Sequence, residues 1–173
     1  EMVFGFVAAA VAGFLLTAAA NWSGNRAIAG VPLIVLFVFW LAGRLAFAGA
    51  FVLTPFTMAL LDVGFLPALA FAAYWTLRGS GQWRNYGIVL IVTVLAIANI
   101  IMHAETLGIV AGMASHALRF AIDLITILVI VISGRITPAF TINALVKAGI
   151  PHNIVRQSKT TIPLIISMLL LTV

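Results

Sequence analysis

Long apolar runs alternate with short polar clusters along the whole chain. Five runs, residues 2–20, 31–51, 55–77, 86–103 and 112–133, are each long enough to cross a bilayer, and a sixth occupies 161–173. A hydrocarbon core about 30 Å thick takes about 17–25 helical residues, and in lipid such a segment has to satisfy its backbone internally as a helix. The clusters between them, Asn21-Trp-Ser-Gly-Asn25, Arg78-Gly-Ser-Gly-Gln82 and Gly149-Ile-Pro-His-Asn153, are made of turn formers. The predicted fold class is therefore all-α: a polytopic transmembrane helix bundle, one membrane domain over 1–173, with five full spans and a truncated sixth. Residues 162–173 would make a helix of only about 18 Å. Together with a first residue, Glu1, that is not an initiator, this reads as an internal fragment of a longer protein.

Composition removes the alternatives. Of 173 residues 64% are hydrophobic and 8% charged, against about 25% charged in soluble domains. The net charge of +5 reflects four acids against nine Lys and Arg, with no dense basic face to hold nucleic acid. Its distribution gives orientation. Arg26, Arg78, Arg84, Arg135, Lys147, Arg156 and Lys159 all fall in the first, third and fifth connections, and the second and fourth hold no Lys or Arg. Positive loops face the cytoplasm, so Glu1 is expected on the outer side, periplasmic in a bacterium. Trp22, Tyr74, Trp75, Trp83 and Tyr86 sit at the same cytoplasmic ends, as an interfacial aromatic belt does. The absence of cysteine excludes thiolate metal sites and covalent c-type haem, leaving non-covalent ligation.

The scarce polar residues inside the spans carry the chemistry. Arg44, Asp62, Arg119 and Asp123 each cost about 2.5–3.5 kcal/mol near a membrane helix centre, which predicts compensation. Arg44 lies roughly 20 Å from the cytoplasmic start of its helix, and Asp62 about two turns from the outer start of the next, so the two share a depth. Arg119 and Asp123 are four apart, on one helical face. The plain reading is two ion pairs that fix packing. The functional reading turns one or both guanidinium groups towards an anionic ligand such as a haem propionate. Met113, His116, Arg119, Asp123 and Thr126 form a polar stripe, and Asn99, Met102 and His103 a shorter one, of the kind that faces a bundle interior. His103 and His116 are candidate axial haem or copper ligands, although an interfacial histidine commonly only hydrogen-bonds. Met2, Met58, Met102 and Met113 offer thioethers for Cu(I), although methionine in such a chain mostly fills space.

Several segments then resemble one known family. Gly13-Phe-Leu-Leu-Thr-Ala-Ala-Ala-Asn-Trp-Ser-Gly24, Trp40-Leu-Ala-Gly-Arg-Leu45, Gln82-Trp-Arg-Asn-Tyr-Gly87, His116-Ala-Leu-Arg-Phe-Ala-Ile-Asp123 and Gly134-Arg-Ile-Thr-Pro-Ala-Phe-Thr141 are similar, in order and spacing, to signatures of NnrS proteins. The resemblance implies a bacterial inner-membrane protein of about twelve helices that binds haem and copper. It also implies a part in the response to nitric oxide and resistance to nitrosative stress, often beside denitrification, with nitric oxide or iron–nitrosyl species as partners and no established catalytic reaction. Family members carry His-x-His-Glu-Met at the outer start of the first span. Only Glu1-Met2 of that motif is present here, so its two histidines fall ahead of residue 1. Ala20 stands where the family often has proline. On this reading His103, His116, Arg44 and Arg119 contact cofactor, with His103, His116 and Met2 as metal ligands.

The alternative is a secondary transporter or exporter in which the Arg/Asp pairs gate a pathway. No inverted repeat favours it. A haem–copper oxidase subunit would need more histidines within the membrane than His103 and His116.

Overall fold

The computed structural model describes residues 2–49, 52–79, 81 and 85–150. Everything regular among them is helical. A π-helical stretch, Met2–Val7, leads into α1 (Ala8–Ser23), followed by α2 (Val31–Phe47), α3 (Pro55–Val63), α4 (Phe65–Leu77), α5 (Tyr86–Thr106) and α6 (Ala114–Lys147). Val3–Ser23, Pro55–Leu77, Tyr86–Thr106 and Ala114–Lys147 are four helical segments long and apolar enough to cross a membrane. The sixth expected run, 161–173, lies outside the described residues.

The chain divides into two compact units, Glu1–Ala121 and Ile122–Val173. In the first, α4 lies against α1 and α5, α2 against α3 and α4, α3 against α5, and the π-helical stretch against α2. The interfaces combine alanines, most numerous on α1, with leucine and other aliphatic side chains on α4 and α5. Ala8, Ala12, Leu15 and Ala19 form the buried stripe of α1, Leu66, Leu69, Ala70, Ala73 and Leu77 that of α4, and Ile88, Val92, Leu95 and Asn99 that of α5. Large side chains such as Phe6, Phe37, Phe56, Phe71 and Leu90 point outwards. This inversion of the soluble pattern is the membrane one: between helices in lipid there is no hydrophobic drive, and close van der Waals contact through small residues holds them together.

The boundaries differ from the expected spans at several points, and α1 continues to Ser23 instead of ending at 20. The run 55–77 is divided into α3 and α4 at Gly64, whose backbone stays right-handed helical at φ −62° and ψ −30°. Pro67 has no N–H to give to the Val63 carbonyl and its ring crowds that group, and Gly64 also admits the Phe39 ring to 3.0 Å from where a Cβ would stand. The second span stops at Phe47 instead of 51; at 17 residues it measures about 26 Å. The fourth continues three residues beyond His103 to Thr106. The fifth runs through the Ser133-Gly134 position to Lys147, with Pro138 inside it. The residue four before Pro138 is Gly134, which places no side chain beside the ring.

At the connection ends the polar clusters act as ties. Gly24 closes α1 in the left-handed conformation at φ 71°, and Asn25 Nδ2 donates to the carbonyls of Thr76 (2.7 Å) and Arg78 (3.1 Å). The Arg78 guanidinium lies 4.3 Å from the Trp75 ring centre, which keeps that cation and the aromatic belt at one level.

Candidate functional site

Three helices, α2, α3 and α5, meet at one carboxylate. Asp62, near the C-terminal end of α3, is 6% exposed and Arg44 of α2 16% exposed, and the two form an ion pair through Asp62 Oδ1 and Arg44 Nη2. The other oxygen, Oδ2, accepts from Asn99 Nδ2 at 3.1 Å and meets His103 Nε2 at 2.9 Å. Both partners come from α5, four residues apart and so on one face. A buried carboxylate is tolerated only when its lone pairs are filled. Here an arginine, an amide and an imidazole fill them.

Glycines make the approach possible. At Gly43 a Cβ would stand 3.0 Å from Asp62 Oδ1 and 3.2 Å from its Cα, so α2 and α3 meet there backbone to backbone. At Gly5 a Cβ would run into Arg44 Nη1. The Gly5 carbonyl also accepts from Trp40 Nε1 at 3.0 Å. Gly5 lies within the π-helical stretch, a local departure from the α-helical ladder that is frequent at functional sites. Trp40 and Arg44, one turn apart on α2, thus both lodge against one residue.

Beside this network, towards the start of α3 and the end of α5, is a cavity of about 260 Å³. Its apolar and soft lining includes Phe4, Phe47, Met58 and Met102, with His103 and Thr106. The Phe47 ring lies 5.9 Å from the His103 ring and 5.6 Å from the Arg44 guanidinium carbon. Nearer the connection that follows, Glu105 Oε2 accepts from the backbone N–H groups of Met113 (2.5 Å) and Ala114 (2.6 Å). It caps α6 with a negative charge at the positive end of the helix dipole. Glu105→Ala is expected to cost about 1 kcal/mol, and faster amide exchange confined to the first turn of α6 would be its signature.

Of the residues singled out from the sequence, the structure brings together Arg44, Asp62 and His103. It does not bring His116 into the cavity: that residue is exposed in the first turn of α6, and Met113 just before it is exposed as well. Arg119 is exposed, and Asp123, in the second unit, has no hydrogen-bond partner at Oδ2 among the described residues. Among the described residues no group of three or more His, Asp or Glu is placed to hold a metal ion. The contacts that sequence reasoning missed are the Asp62–His103 bond and the Gly5 seat. The first was within reach, because α5 extended by one turn brings His103 to the depth of Asp62. The second leaves no mark in residue types.

No curated protein and no solved structure matches the chain. A family model does match it, over residues 1–173, and is described as NnrS protein. The match covers the whole chain, and with helices apolar and long enough to cross a membrane it defines the relationship: the chain belongs to the NnrS family.

Proposed function

We propose that the chain acts as a membrane-embedded haem- and copper-binding protein in the response to nitric oxide, protecting a bacterium from nitrosative stress beside denitrification. The bilayer in this reading is the bacterial inner membrane, and the cavity opens towards the periplasm. The observation that carries it is the carboxylate-backed imidazole. His103 gives Nε2 to Asp62, and Nδ1 has no hydrogen bond among the described residues. Metal-ligating histidines characteristically present one nitrogen while a carboxylate holds the other, which fixes the ring and raises its basicity. That donor arrangement would suit a nitrogen ligand to a non-covalent haem.

In this reading His103 is the haem ligand in hand. His116 and Met2 are further metal candidates, and Arg44 and Arg119 the cations for propionates or other anions. Haem iron, when bound, would supply a coordination site for nitric oxide or an iron–nitrosyl species. The chain's own share is to orient the imidazole through Asp62, to hold Asp62 through Arg44 and Asn99, and to keep water out with Phe4 and Phe47. No catalytic reaction is part of the proposal.

The complete protein purified in mild detergent from haem-replete cells should show a Soret band, and His103→Ala should lower haem occupancy at least about tenfold. A colourless preparation would overturn the haem assignment, and an undiminished band in the variant would remove His103 from the ligand set. The transporter reading draws on the same buried charges. Proton-coupled flux in proteoliposomes, lost with Asp123→Asn, would favour it instead.

A further inference from the structure

Two membrane-length segments of the first unit, Val3–Ser23 and Pro55–Leu77, stop side by side. Arg26 follows the first by three residues and Arg78 the second by one. Asn25 fastens the two ends together. Its N–H donates to Ser23 Oγ at 3.2 Å, and its Nδ2 reaches the carbonyls of Thr76 and Arg78. Adjacent Cα atoms are about 3.8 Å apart, so Arg26 leaves the backbone beside the point where Asn25 touches Arg78. Both arginines are exposed. No Asp or Glu occurs in residues 2–61 or 63–104. Asp62 is engaged by Arg44 and His103, and Glu105 by the start of α6. Two neighbouring cations thus stand at the edge of the apolar segments, with the acids of the unit occupied elsewhere.

On α4 a graded ridge leads away from Arg78. The guanidinium carbon lies 4.3 Å from the Trp75 ring centre, and the Phe71 ring centre lies 5.9 Å from that of Trp75. Phe71 and Trp75, one turn apart on one face, are 63% and 55% exposed. Over about 10 Å of axis the ridge passes from cation to amphipathic indole to plain hydrocarbon. A phospholipid changes in the same order, from phosphate through glycerol ester to acyl chain. Stacking on Trp75 occupies the face of the guanidinium and leaves its N–H edges, the part that pairs with phosphate oxygens.

We propose that Arg26, Arg78 and the Trp75–Phe71 ridge form a binding site for one anionic phospholipid. The phosphate lies between the two arginines and an acyl chain runs along the rings. Basic side chains at the membrane edge attract anionic headgroups. A zwitterionic headgroup carries its own cation and would bring it against the arginines, so the site selects net negative charge. Asn25 is a positioning residue: it holds Arg26 against Arg78 and does not itself meet the lipid. The site is independent of the haem and copper reading.

The test uses the complete protein in mild detergent, stripped of lipid and titrated with phosphatidylglycerol, phosphatidylcholine or inorganic phosphate. Bound lipid is counted by native mass spectrometry. Phosphatidylglycerol should be held about tenfold or more tightly than phosphatidylcholine, and inorganic phosphate should not displace it. The Arg26→Gln/Arg78→Gln double variant should lose one phosphatidylglycerol per chain, and Asn25→Ala should weaken its binding, with helical circular dichroism as in the wild type. Phosphatidylglycerol with a photoreactive headgroup should label residues 22–30 and 74–79 of the unmodified protein. Equal retention of the two lipids, labelling confined to other segments, or full lipid occupancy in the folded double variant would each overturn the site. Displacement by inorganic phosphate would show an anion site and overturn the lipid assignment. Because labelling is read on unmodified protein, the result does not depend on how the variants fold.

Discussion

Asp62→Ala is expected to be the most damaging single substitution in the first unit, costing about 3–5 kcal/mol. The size comes from what is left behind. Arg44 would stay largely buried with its bond to Asp62 lost, and Asn99 Nδ2 and His103 Nε2 would lose their acceptor in the same step. The pair itself is worth much less than its disruption, since two well-packed apolar residues can replace a buried ion pair at little cost. The Arg44→Met/Asp62→Leu double variant should therefore be more stable than Asp62→Ala alone. Thermal unfolding in detergent, followed by helical circular dichroism, measures all of these. Equal losses in the single and double variants would show that the carboxylate network does not hold the helices.

The second large effect is expected at Gly5, where the sign is diagnostic. Glycine inside a helix is worse than alanine by roughly 0.5–1 kcal/mol, so Gly5→Ala would stabilise an ordinary helical position. Here the added Cβ runs into the Arg44 guanidinium. Either Arg44 leaves Asp62 or the π-helical stretch moves off α2 and gives up the bond from Trp40 to the Gly5 carbonyl. Overpacking of this kind costs about 1–3 kcal/mol. The same substitution in the Arg44→Met/Asp62→Leu background should cost clearly less, since the rigid guanidinium is gone, and the difference is the coupling between the two positions. A stabilising Gly5→Ala would show that the stretch yields without strain.

How much of this arrangement was legible before the structure depends on the kind of physics that set it. The apolar runs follow from lipid as a solvent, and they are written in residue types. Arg44 and Asp62 could be matched because the cost of a membrane charge depends on depth, and depth can be counted from helix ends. The same counting placed His103 at the surface, because the fourth span was ended at that residue instead of at Thr106. One missing turn hid its bond to Asp62. The division at Gly64 was also in the letters, as the four-residue reach of Pro67 back to Val63. The Gly5 seat was not, since it rests on a backbone carbonyl, a π-helical ladder and a missing Cβ. The expected fifth span ends at Ser133, whereas the helix runs on through Gly134 and Pro138 to Lys147.

Gly64 keeps a right-handed helical backbone between α3 and α4, at φ −62° and ψ −30°, and the Ala68 N–H reaches the Gly64 carbonyl at 3.3 Å. The two helices therefore continue one another past the hydrogen bond that Pro67 cannot make. Asp62 stands about 3 Å along the axis from that point, so the depth of the carboxylate is set by the same span that carries Leu66 and Leu69 into the bundle.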